Sequence, residues 1–110
     1  MKGWYVIMKV GNEKIREYIL KKGFCCIDYK ATNYVLKVEA PNGIDEIEFG
    51  CILNENKMIA KFPDYVFNRK NPFSTKDTII NFRWDANDDD DTIIYNIEKF
   101  FDKVITLNEV

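Results

Sequence analysis

The chain contains no histidine, and that absence excludes more chemistry than any motif present could suggest. Histidine activates the nucleophile in Ser-His-Asp and Cys-His arrangements, ligates zinc in HExxH helices, and is the side chain that most readily exchanges protons near neutral pH. Without it, catalysis would have to rest on carboxylates, lysine or tyrosine. Cysteine is sparse as well. Cys25, Cys26 and Cys51 contain no CxxC pair, so no structural zinc site is expected, and the odd count reads as reduced, buried thiols of a cytoplasmic protein. Only 5 glycines occur, none in a P-loop or GxGxxG arrangement, which leaves no backbone cradle for a phosphate. No apolar run approaches the ~20 residues that a membrane-spanning helix needs, and the first residues carry neither a signal-peptide core nor a transit pattern. The expectation is a cytoplasmic, non-enzymatic protein with no cofactor, no metal and no membrane contact.

What is present is the composition of one folded domain over residues 1–110. Hydrophobic residues make up 46% of the chain, with 14 Ile and 8 Phe among them, enough to build a modest core. A net charge of −2 offers no global attraction to nucleic acid or anionic lipid. Lys outnumbers Arg 13 to 3, a bias common in AT-rich bacterial and phage genomes.

Residues 4–10 alternate, with Trp4, Val6, Met8 and Val10 on one face, and predict a strand. Asn12 as an N-cap, then Ile15, Tyr18 and Ile19 at i, i+3 and i+4, predict a helix over 13–22 that Gly23 stops. Strand patterns follow at 24–30, 33–39, 44–53 and from Lys57 to Phe62, with turn signals at Pro41-Asn42-Gly43 and Asn54-Glu55-Asn56. In the third of these, Ile47, Phe49, Cys51 and Leu53 turn inward, and Glu46 and Glu48 turn outward. A last strand at 78–84 sets Ile80, Phe82 and Trp84 opposite Asn81 and Arg83. The stripe Ile93, Ile94, Ile97, Phe100, Phe101, Val104 and Ile105 predicts a closing helix. The order β-α-β-β-β-β-β-α predicts an α+β fold, a mostly antiparallel five- to six-stranded sheet with two helices packed on one face.

Charge is patterned along the chain. Residues 1–30 carry +4, 31–60 carry −3, 61–84 carry +3 and 85–110 carry −6. Asp85, Asp88, Asp89, Asp90 and Asp91 concentrate the last block. They miss the calcium-loop template because no glycine follows and four carboxylates run consecutively, so they cannot all converge on one ion. Asp91 is expected to cap the closing helix, with its neighbours near the positive end of the helix dipole or docked against a basic partner. The segment 63–77 has no periodicity and interleaves Tyr65, Phe67 and Phe73 with Arg69, Lys70 and Lys76. Rings and cations together suit protein hot spots or stacking on single-stranded nucleic acid. Glu46 and Glu48 share a strand face, which is the ordinary wet side of a half-buried strand and not a catalytic pair.

The leading expectation is a small protein-binding factor of bacterial or phage type, inhibitor, immunity or antitoxin-like, that occludes a functional surface on another protein such as a nucleic-acid-processing one. Its binding residues would be the five aspartates together with Tyr65, Phe67, Arg69, Lys70 and Phe73. The alternative is a single-stranded nucleic-acid-binding module that uses the 63–77 segment and Arg83. Apolar residues on both faces of 4–10 and 78–84 also raise the expectation of a homodimer or an edge-paired partner.

Overall fold

Alternation of apolar and polar residues through the middle of the chain folds into an antiparallel meander. A computed structural model describes residues 13–41, 43–66 and 76–106; the strand expected at 4–10 lies outside them. Helix α1 covers residues 13–22, and β1 (Cys25–Cys26), β2 (Asn33–Glu39), β3 (Glu46–Ile52), β4 (Lys57–Pro63), β5 (Asp77–Arg83) and helix α2 (Asp90–Ile105) follow. The five strands lie in the sheet in chain order, each antiparallel to the next. The fold is α+β.

Register turns the alternation into a core face. Tyr34, Cys51, Met58 and Phe82 form one row across four strands, and Leu36, Phe49, Ala60 and Ile80 form the next. Both helices pack on this face, as expected. The Phe49 ring is fully buried and lies 4.5 Å from that of Phe101 and 6.2 Å from that of Phe100. Phe24 meets Phe101 edge-on at 5.9 Å, and Phe82 stacks on Phe100 at 5.4 Å. Ile15 and Ile19 of α1 complete the core beside Ile93, Ile97 and Val104 of α2. Lys14 pairs with Asp91 at 2.8 Å and Lys22 with Glu98 at 2.9 Å, so the two helices run side by side in the same direction. The Lys22 ammonium also lies 4.5 Å above the Phe101 ring, roofing the core between the helices.

Helix α1 ends as its sequence signals. The Phe24 N–H bonds the Ile19 carbonyl at 3.0 Å and the Gly23 N–H bonds Leu20 at 3.1 Å, the two bonds of a Schellman cap, and buried Phe24 and Ile19 supply its hydrophobic contact. Gly23 sits at φ +115°, where a side chain would be strained and its Cβ would come within 3.3 Å of Leu36 Cδ1.

Three expectations change. The strand at 24–30 shrinks to Cys25–Cys26 because the chain turns back around Asp28, with Ala31 in the left-handed region at φ 58°. Ile27 and Tyr29, which extended the apparent alternation, are 64% and 94% exposed. Cys25 and Cys26 are therefore exposed, and only Cys51 is the buried thiol expected, its pKa pushed up to about 12 by burial. Finally, the segment 63–77 is not wholly irregular. Pro63 closes β4, Asp64–Val66 form a 3-10 turn and Asp77 opens β5.

Candidate protein-binding surfaces

The antiparallel order assigns the two surfaces singled out in the sequence to opposite ends of the sheet. β5 enters from the Tyr65 segment and leaves into the aspartate loop, and seven residues of strand separate the two by about 20 Å. They cannot form one continuous patch.

At the aspartate end the chain is held by short local bonds. The Asp85 carboxylate accepts the Asn87 N–H at 2.8 Å, and the Asp88 N–H bonds the Asp85 carbonyl at 3.0 Å. The N-cap of α2 is Asp89, not Asp91. Asp89 has extended backbone angles (φ −71°, ψ 158°), and its carbonyl accepts the first helical bond, from Ile93, at 3.1 Å. Its carboxylate accepts the Thr92 hydroxyl at 2.5 Å, and that hydrogen bond holds its pKa below the ordinary range. Asp90 and Asp91 fall inside the first turn, where the helix dipole favours negative charge. Asp91 bonds Lys14, whose own pKa rises through that hydrogen bond and through the field of Asp91, Asp90 and Asp89. Four of the five carboxylates are exposed, Asp90 is half-buried, and Lys14 is the cation bonded to them among the described residues. Their backbone positions are fixed by the cap and the turn, so the array is held as a platform.

At the other end, Tyr65 donates its hydroxyl to Asp45 at 2.8 Å, and this bond raises its pKa. Asp64 accepts the Thr78 hydroxyl at 2.7 Å and its N–H bonds the Lys76 carbonyl at 2.8 Å, which closes the base of the loop. Tyr65 is thus tied to the β2–β3 turn. Phe67, Arg69, Lys70 and Phe73 lie outside the described residues. Lys76 stands at this end, whereas Arg83 stands at the aspartate end with Nη1 3.5 Å from the Glu55 carbonyl. The described cations of the nucleic-acid alternative are not neighbours.

Two features escaped the sequence reading. The Asp28 carboxylate accepts the N–H groups of Asn33 (2.9 Å) and Thr32 (3.0 Å), the Thr32 hydroxyl (2.7 Å) and the Asn33 amide (3.3 Å). Its pKa falls to about 2, led by the Asn33 backbone bond and then the Thr32 hydroxyl. Nearby, Arg16 Nε donates to the buried Tyr34 hydroxyl at 3.0 Å, and that hydroxyl donates to the Ala31 carbonyl at 3.0 Å. The signal available was an aspartate four and five residues before Thr32-Asn33, in a segment where its side chain can collect backbone N–H groups and turn the chain. The second feature is a groove of about 230 Å³ between β5 and α2. Ile80, Phe82 and Phe100 form its floor, and Asn96, Lys99 and Lys103 stand along its helical side.

A larger shallow pocket, about 310 Å³, lies on the outer sheet face among Lys37, Glu48, Lys61 and Asp77. Register sets Lys37 opposite Glu48 and Glu48 opposite Lys61, and Lys61 approaches Asp77 at 3.8 Å, so its charges alternate and largely cancel. Among the described residues no group of three or more metal-ligating side chains converges, and no helix is long and apolar enough to cross a membrane. The chain matches no protein-family model, no curated protein and no solved structure.

Proposed function

We propose that this chain is a small, non-catalytic binding factor that covers the functional surface of another protein. The observation that supports the reading is the array of Asp85, Asp88, Asp89, Asp90 and Asp91, its backbone held by the α2 cap and the Asp85 turn, in which Asp91 alone bonds a lysine, Lys14, among the described residues. A backbone fixed before binding loses little conformational freedom on contact, so more of the carboxylates' attraction for a basic surface survives as affinity. A positively charged groove, such as a nucleic-acid-processing protein presents, is the complementary target. Long-range attraction would speed encounter, and the short contacts would exclude the groove's own anionic substrate. The factor therefore acts in the cytoplasm by occlusion and needs no chemistry of its own.

The test is capture of partners by the full chain from a lysate of its own cells treated with nuclease, followed by titration of the purified partner at several salt concentrations. The expected result is a stoichiometric protein partner whose affinity falls with salt and drops at least ~10-fold, about 1.4 kcal/mol, in the triple variant Asp85→Lys, Asp88→Lys, Asp91→Lys. That variant spares the cap residue Asp89, and circular dichroism verifies its fold. Unchanged affinity in the variant, or capture that nuclease abolishes, would sink the proposal.

A further inference from the structure

The edge of the sheet beside α2 carries features that the aspartate platform does not share. Among the described residues β5 is paired on one side only, with β4. Two bonds fix the phase of that ladder: Trp84 N–H to the Asn56 carbonyl at 3.0 Å, and Asp64 N–H to the Lys76 carbonyl at 2.8 Å. Antiparallel bonding alternates residue by residue, so Thr78, Ile80 and Phe82 spend their backbone groups on β4. Ile79, Asn81 and Arg83 consequently turn their N–H and C=O groups away from β4. Charged side chains stand only at the ends of this edge, Asp77 and Arg83, and its centre, Ile79–Ile80–Asn81, has no proline, bulge or lysine to discourage pairing.

The groove continues from this edge. A strand laid against β5 would alternate its own side chains, and those facing the helices would lie over Ile80, Phe82 and Phe100. The far wall is cationic. Lys99 and Lys103 are one helical turn apart, both exposed, and neither is bonded to a carboxylate among the described residues; the Lys99 ammonium rests 5.0 Å over the Tyr95 ring. The carboxylates Asp91 and Glu98 lie on the other flank of α2, committed to Lys14 and Lys22. Two acids of α2 thus face α1, and its two lysines stand beside the groove.

We propose that β5 and the groove between Phe82, Phe100, Lys99 and Lys103 take an extended acidic segment of a partner protein as an added strand. Backbone bonds to Ile79, Asn81 and Arg83 give the attachment. An apolar side chain over the Phe82–Phe100 stack gives the anchor, and carboxylates reaching Lys99 and Lys103 set the charge of the partner. A basic segment is repelled by the same two lysines. This site goes beyond the occlusion reading, because it uses neither the aspartates nor a globular target surface.

The experiment selects peptides from a random twelve-residue display library on the full chain and measures the selected peptides by fluorescence anisotropy. The selected sequences are expected to carry carboxylates alternating with apolar residues. Their affinity is expected to fall at least ~10-fold in Asn81→Pro, which removes an outward N–H and leaves the β4 ladder intact. It is expected to fall likewise in Lys99→Glu with Lys103→Glu, which leaves the strand untouched and so tests the site even where the proline variant misfolds. The Asp85, Asp88 and Asp91 reversals should leave peptide affinity unchanged, so failure here and failure of the occlusion reading are told apart. The proposal is overturned by a library that yields no binder, by peptides that bind the lysine variant as well as the parent, or by loss of peptide binding in the aspartate variant. It is also overturned if the chain sediments as a dimer that Asn81→Pro dissociates, since the edge would then belong to a second copy.

Discussion

Phe49 is the residue on which the sheet and helix α2 depend together, and its truncation has a calculable effect. It occupies the central strand, is 0% exposed, and touches Phe100 and Phe101 at once. Phe49→Ala removes the ring's burial and leaves a cavity that two other rings cannot both relax into, so the cost belongs in the upper part of the usual range, about 4–5 kcal/mol. A chain of this length has about 5–16 kcal/mol of folding stability in total. The variant therefore loses a quarter or more of it. With a urea dependence of about 1–2 kcal/mol per molar, the unfolding midpoint should move down by roughly 2–5 M, and in a weakly stable parent the variant would be unfolded in buffer. The assay is urea titration followed by tryptophan fluorescence and far-UV circular dichroism, with Ile79→Ala as the comparison. Ile79 lies on the outer face and is 56% exposed, so its truncation should cost no more than about 0.5 kcal/mol. A midpoint shift in Phe49→Ala no larger than that of Ile79→Ala would refute the packing of α2 on the Phe49 face.

Two further outcomes follow from individual side chains. Asp28 has a folded pKa of about 2 against an ordinary 3.8, so the folded state prefers it ionised; the stability it contributes is complete above about pH 4 and is lost as pH falls toward 2. Asp28→Asn should flatten the acid limb of a urea-midpoint profile across that window, and wild-type and variant profiles that stay parallel would contradict the bonding at this turn. An alkylating reagent should modify Cys25 and Cys26 in the native protein and reach Cys51 only in denaturant, as mass spectrometry would count. Labelling of all three without denaturant would place Cys51 outside the core.

How much of this was legible in the sequence differs by element. The α2 stripe and the inward residues of β3 and β4 were readable because each repeats over at least two periods and every member does become buried or half-buried, apart from Ile105 at the helix end, 45% exposed. The pattern at 24–30 misled because its alternation does not correspond to burial: the four bonds collected by Asp28 turn the chain after two paired residues. The cap on α2 slipped by two positions because four consecutive aspartates offer four equivalent candidates. Backbone angles, not composition, select Asp89.

For the surfaces the division is sharper. The sequence alone determined which residues carry charge and which chemistries lack their side chains, because these are properties of single residues and of their neighbours in the chain. It also determined the antiparallel meander, because the connections after β2 and β3 are too short for parallel crossovers. Chain order already set the Tyr65 segment and the aspartates on either side of β5, but only the tertiary structure tied Tyr65 to the β2–β3 turn through Asp45, twenty residues back in the chain. Only the tertiary structure placed Lys99 and Lys103 beside Phe82, about a dozen and a half residues away in the chain. That meeting depends on α2 lying back across the sheet over the Phe49 ring, and nothing local to either segment encodes it.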